Sequence, residues 1–217
     1  MNSDQETNID ETVKALSESL FKAWSYFHIL RGFYEGHQKH PEVIKQFNWL
    51  FDQAWNAIFD GLFAKAGTLL DRTKSTHSLP NLVTLISRYG DDELKKLLPK
   101  VESYLSEENG ALAKIKNWRH SAIAHSTAEG QGEAFYVDNK MNLAELENTL
   151  IELEEALNHL SRNTLGIHND IRNGSTGLVE EGRSLFATLA VGITNKPQPK
   201  YSIFRRIKTL ISKQTAF

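Results

Sequence analysis

The chain has 217 residues, 40% of them hydrophobic and 24% charged, which suits one globular domain with a real core plus an appendage. A formal net charge of −2 supplies no global basic field for nucleic acid, and the absence of cysteine excludes a disulfide frame and a thiolate metal site. No apolar run reaches the length that spans a bilayer, and the acidic start "MNSDQETNIDE" resembles neither a secretory signal nor a transit peptide, so a cytoplasmic protein without a membrane partner is expected.

The charge is unevenly placed. Asp4, Glu6, Asp10, Glu11 and Glu18 crowd the first twenty residues against Lys14 alone. The tail beyond Thr194 carries Lys196, Lys200, Arg205, Arg206, Lys208 and Lys213 with no acid. Such a tail either approaches phosphates or anionic lipid heads or forms a solvated amphipathic end.

Taken in chain order, the apolar residues recur at three- and four-residue steps. Val13, Leu16, Leu20, Ala23, Trp24, Phe27 and Leu30 make a first helical stripe, expected to end near Gly32 or Gly36. A second and broader stripe runs from Val43 to Leu70, opened by Pro41 in a first-turn position where its missing N–H costs nothing. The two helices are expected to pack antiparallel across "GHQKHP". Ser78 can cap a short helix reaching Arg88, with Pro80 in its first turn, and Asp91 can cap another that Pro99 kinks or restarts. A helix is predicted over 110–126, followed by the loop "STAEGQGEAFYVDNK". Asn142 and Glu145 form a capping-box-like start to a helix through about Ser161, striped by Leu143, Leu146, Leu150, Leu153, Leu157 and Leu160. "GIHNDIRNGSTG" reads as a second breaker, followed by a helix from Leu178 to Val191, a linker "NKPQP" and a terminal helix from Ser202 to Ser212. No strand alternation or internal repeat stands out. The expectation is an all-α antiparallel bundle over 10–165, with a C-terminal helical extension and basic tail over 166–217.

Within that pattern, "KNWRHSAIAHS" (116–126) places an arginine and two histidines on an apolar rhythm. Arg119 and His125 are six positions apart, a spacing that Arg31 with His37 and Arg162 with His168 share and that Arg72 with His77 nearly matches. Context separates them. Arg31 and His37 straddle two glycines at an expected helix end, Arg72 and His77 lie in a polar connection, and Arg162 and His168 flank the end of the leucine-striped helix. Only 119–125 falls inside an amphipathic helix with small residues, Ala122 and Ala124, between the polar groups. Six residues of regular helix advance roughly 9 Å and turn the side chains about 120° apart, so the two do not share a face. One phosphate meets both through the long arginine stem, through a local distortion, or through a second copy of the same helix across a two-fold axis.

"NWRHSAIAHS" resembles the motif of HEPN domains, in which an arginine, a polar residue and a short run lead to a histidine. The context resembles the abortive-infection U-type branch of that superfamily, through "YFHILRGFYEG", the aromatic helix leading to "LLDRTKSTHSLPNLVTLI", and the placement of "KIKNWRHSAIAHS"; the likeness spans roughly residues 10 to 165. It implies a HEPN-like bundle that dimerises through the motif helices. It also implies a metal-independent endoribonuclease acting as a toxin or phage-defence effector, cytoplasmic, with RNA as substrate and a protein antitoxin or regulator as a further partner. Arg119 and His125 then form the active pair, and His120 occupies the polar position where asparagine or aspartate is commoner. Thr127 stands where many HEPN proteins partnered with nucleotidyltransferases carry a modifiable tyrosine.

The chemistry of these residue types agrees with that implication. RNA brings its own nucleophile, the 2′-hydroxyl. Histidine titrates near neutrality and moves protons, and arginine stays charged and grips phosphate oxygens in a planar fork. His125 is expected to act as base or acid, Arg119 to stabilise the phosphate, and His120 to position or to transfer a second proton. Lys114, Lys116 and Trp118 are candidates for guiding or stacking RNA, with helix packing as the other account of Trp118. No metal and no cofactor enter this scheme. The alternative is a non-catalytic HEPN module that binds RNA or a protein partner.

Overall fold

The computed structural model describes residues 3–106, 109–124, 133–164, 166, 168 and 170–195. Helices are the only regular secondary structure among them. Two long helices, α1 (Ser3–Lys39) and α2 (Pro41–Leu69), are joined at His40. Phe33 meets Phe51 while Tyr26 meets Gly61, so one helix ascends as the other descends and the pair is antiparallel. Short helices follow: α3 (Leu79–Tyr89), α4 (Asp92–Lys95), α5 (Leu98–Tyr104) and α6 (Gly110–Asn117). A π-helical stretch over Trp118–Ala124 continues α6; then come α7 (Glu133–Asp138), the long α8 (Leu143–Thr164), the single turn α9 (Ile171–Gly174) and α10 (Gly177–Asn195). No helix among the described residues is long and apolar enough to cross a membrane.

The expected caps are made. The Ser78 hydroxyl accepts from the Asn81 N–H at 3.3 Å, Asp91 from the Leu94 N–H at 2.8 Å, and Asn142 from the Glu145 N–H at 2.9 Å, each satisfying a donor that a helix start leaves open. Pro99 restarts the chain as α5 in its first turn. The stripes of α1, α2 and α8 supply one continuous core in which Leu16, Leu20, Trp24, Phe27, Leu62, Phe63, Leu150 and Leu157 are sealed from water.

Two expectations are corrected. Gly32 and Gly36 do not end α1, which continues to Lys39. They are contact glycines: a Cβ at Gly32 would lie 2.7 Å from the Val179 carbonyl oxygen and 3.1 Å from Gly182 Cα, and one at Gly36 would collide with the Phe186 ring at 2.7 Å. The partner numbers rise together, so α10 runs parallel to α1. Glycine is used here for close approach, which outweighs its poor helix propensity of about 1 kcal/mol against alanine. The second correction concerns the two breaker regions, which contain α7 and α9. The expected linker and terminal helix of the tail lie outside the described residues.

Behind α8, α9 and α10 are fastened to the bundle by buried polar contacts. Glu154, itself buried, accepts from the Ile171 and Arg172 N–H groups at 3.1 and 3.3 Å and so takes the role of a helix cap from a distance in sequence. His28, 3% exposed, stacks near Trp24 and bonds through Nδ1 to the Ser175 hydroxyl at 2.8 Å. Arg183 pairs with Glu35 and Glu180, and Phe186 fills a second apolar cluster with Val43, Phe51 and Ala190.

Candidate functional site

The motif arginine sits on the π-helical stretch, where i→i+5 hydrogen bonding widens the turn; such turns are rare and frequently fall at functional sites. The distortion named above as one route to a shared phosphate is therefore present around Arg119. Trp118 anchors the stretch. It is 8% exposed, packs against Phe59, Phe63 and Phe135 with ring centroids 5.0 to 5.4 Å away, and donates from Nε1 to the Asn139 carbonyl at 2.9 Å. An indole so enclosed cannot stack on RNA, and its expected role as an RNA-stacking residue is corrected to a packing one.

With Trp118 turned inward, its neighbour Arg119 is carried to the face that lies on α2. Gly67 makes room there: a Cβ at that position would fall 2.4 Å from Arg119 Cδ and 2.7 Å from its Cβ. The guanidinium crosses the glycine and donates through Nη2 to Asp71 Oδ2 at 2.7 Å, with the arginine side chain 33% and the aspartate 11% exposed. Asp71 is itself fixed by the Thr73 N–H at 2.9 Å, an Asx turn just beyond α2. Burial pulls its pKa upward, but the hydrogen bonds from Thr73 and the Arg119 guanidinium together outweigh that and hold the carboxyl below the ordinary carboxylate range. It therefore remains an anion that orients Arg119 while leaving part of the guanidinium side chain open to solvent.

The other expected residues are placed as follows. His120 is exposed on the same stretch, and Lys116 is half-buried. Lys114 pairs with Glu145 at 2.8 Å, which ties α6 to α8 and neutralises part of the charge offered to an anion. His125 lies outside the described residues. Asp71 and Gly67 were not singled out in the sequence; Asp71 sits 48 positions from Arg119 in a polar connection, and nothing local marks either as its partner.

The segment that begins with Asp71 also walls a cleft of about 770 Å³ between the start of α1, α3 and α5. Arg72, Lys74, His77 and Arg88 line it, with Glu102 as the acidic side chain among the described lining residues, and His77 Nδ1 lies 3.1 Å from the Thr12 hydroxyl. Among the described residues the groove, which Arg72 next to Asp71 helps to line, is therefore basic.

The all-helical bundle seen among the described residues is the architecture expected of a HEPN domain. The family model described as AbiU2 matches residues 6–181, and the chain belongs to this HEPN family of abortive-infection U-type domains. Comparison with curated proteins and with solved structures gives no match.

Proposed function

We propose that the protein is a metal-independent endoribonuclease serving as a toxin or phage-defence effector, with its active cleft completed by a second copy of the chain. The observation that carries this reading is Arg119: the family's motif arginine is presented on a π-helical turn, braced by Asp71 and open to solvent beside a basic groove. A guanidinium braced on one edge is pre-organised for a phosphate on another, which lowers the reorganisation that a reaction would otherwise require.

In this reading RNA lies along the groove past Arg72, Lys74 and Arg88. The 2′-hydroxyl attacks the adjacent phosphorus as His125, or its copy in the second chain, accepts the proton. Arg119 bears the growing charge on the phosphorane oxygens. The P–O5′ bond then breaks, a second imidazole protonates the departing oxygen, and the products are a 2′,3′-cyclic phosphate and a 5′-hydroxyl. His120 is assigned to positioning. The chemistry draws its nucleophile from RNA and its protons from imidazoles, so nothing in it calls for a metal.

The Arg119–Asp71 ion pair also favours a second reading, a non-catalytic HEPN module that binds RNA or a protein partner, in which the pair is structural. One experiment separates them. Wild-type chain and His125→Ala are incubated with purified total RNA in the presence of a chelator, and the new ends are mapped. Cleavage by the wild type with cyclic phosphate ends, falling roughly 100-fold or more in the variant, supports the ribonuclease. Two folded dimers that retain RNA and leave it intact support the binding module.

A further inference from the structure

The spacing that singles out Arg119 recurs at Arg162 and His168, and there the two side chains touch. Arg162 lies in the last turn of α8, which ends at Thr164. Gly166 then takes φ +65°, the left-handed conformation that glycine adopts without steric penalty, and turns the chain back just past the helix end. The result brings His168 against the guanidinium: Arg162 Nε and Nη2 lie 3.1 and 2.8 Å from His168 Nδ1. A guanidinium donating to a neutral imidazole is a weak substitute for the carboxylate or phosphate it fits best.

Both residues wall a cleft of about 530 Å³ between α5, α8 and the turn before α9, a volume within the range of small-molecule sites. Lys100, His159 and Arg172 face the same space. Three carboxylates also line it, so the formal charges balance, but those carboxylates are directed elsewhere. Glu154 receives the Ile171 and Arg172 N–H groups, Glu155 receives the Tyr104 hydroxyl at 3.0 Å, and Asp170 receives the Asn173 amide at 2.7 Å. Lys100, Arg162 and Arg172 make no ion pair among the described residues. The effect is felt at His159: burial, then the charges of Lys100 and Arg162, hold it below the ordinary imidazole range, with no carboxylate acting to raise it. Lys100, Arg162 and Arg172 therefore line the cleft without a direct ion-pair partner, beside the imidazoles of His159 and His168.

The geometry points to a phosphate-binding site in this cleft, taking the phosphate of a nucleotide, free or within RNA. In the occupied site Arg162 turns its fork from His168 to the phosphate oxygens, Lys100 adds a point charge, and the two imidazoles donate N–H bonds. The site shares no side chain with Arg119, Asp71 or the groove beside them, and it does not rest on the ribonuclease reading.

Equilibrium binding tests it without reference to cleavage. The full chain is titrated calorimetrically, at low salt, with ATP, with inorganic pyrophosphate, and with a single-stranded 2′-O-methyl oligoribonucleotide that lacks the attacking hydroxyl. The same titrations use Lys45→Gln, at an exposed lysine of α2 outside both clefts, the double variant K100Q/R162Q, and His168→Gln. Lys100, Arg162 and His168 are exposed, and helical circular dichroism checks that the variants fold. The expected result is binding that Lys45→Gln leaves unchanged and that K100Q/R162Q weakens roughly tenfold or more, the loss of charge-assisted hydrogen bonds, with a smaller loss in His168→Gln. Binding of ATP and pyrophosphate assigns the site to free nucleotides; binding of the oligomer alone, with the same sensitivity to K100Q/R162Q, assigns it to RNA. Binding of none of the three, or binding indifferent to K100Q/R162Q, overturns the site.

Discussion

Two glycine contacts in this molecule look alike and do opposite work. At Gly32 and Gly182 two helix backbones touch, and every atom a new Cβ would meet belongs to a main chain that cannot yield. At Gly67 the atoms above belong to the Arg119 side chain, so the glycine opens a passage for a functional group. The first contact holds the fold; the second aims a charge. Close packing at a glycine does not by itself say whether stability or function has been secured, and the identity of the neighbouring atoms decides it.

The comparison can be broken first at the backbone contact. Gly182→Val forces α10 off α1 and is expected to destabilise by about 3 kcal/mol, at the upper end of overpacking effects, which lowers Tm by roughly 6 to 12 °C for a chain of this size. A thermal melt within a degree or two of wild type would mean that the two helices are not in this contact. Next comes Gly67→Ala. Alanine gains about 1 kcal/mol of helix propensity but must displace the stem of Arg119 at a packing cost of about 1–3 kcal/mol, so Tm should move little. On the proposed ribonuclease reading, RNA cleavage should by contrast fall roughly tenfold, on the scale of a misplaced transition-state contact. A melt lowered as far as that of Gly182→Val, with cleavage preserved, would erase the distinction between the two glycines.

The smallest effect concerns the contact of α1 with the end of α9, at His28 and Ser175, under acid. Burial, aided by the Arg31 charge and opposed by the hydrogen bond with Ser175, sets the pKa of His28 below its ordinary value of 6.5. The unfolded chain therefore takes up the proton first, and the contribution of neutral His28 is complete above about 6.5 and is lost as pH falls below it. The slope is at most about 1.4 kcal/mol per pH unit for one such group. Melts between pH 7.5 and 5.5 should show the decline, and His28→Gln should flatten it even if the variant is less stable throughout. A slope unchanged in His28→Gln would place the titration on His159, whose pKa is also lowered.

Sequence periodicity is a reliable guide where one helix face meets the core, which is why α1, α2 and α8 are legible residue by residue, as are the caps of α3, α4 and α8. It fails at Gly32 and Gly36, because a glycine that breaks a helix and one that admits a neighbour have the same local signature. The neighbour, α10, lies some 150 residues away in the chain. The candidate site divides in the same manner. Arg119 is legible from its motif, whereas its brace at Asp71 and its clearance at Gly67 are long-range consequences of packing α2 against the π-helical stretch. Trp118 is legible as apolar, but only the surrounding Phe59, Phe63 and Phe135 decide that it faces inward.

The pairing of α1 with α10 has a meaning in time as well as in space. His28 and Ser175 are 147 positions apart, and α1 remains without its parallel neighbour until α10 has been made. At a translation rate of about 5–20 residues per second, that interval is on the order of ten to thirty seconds. During it the groove around Gly32 and Gly36 and the ring of Phe33 stay uncovered on a nascent chain. Closure of this seam thus waits on some 150 further residues, and a message cut short before the codon for Gly182 yields a chain that lacks the contact with Gly32.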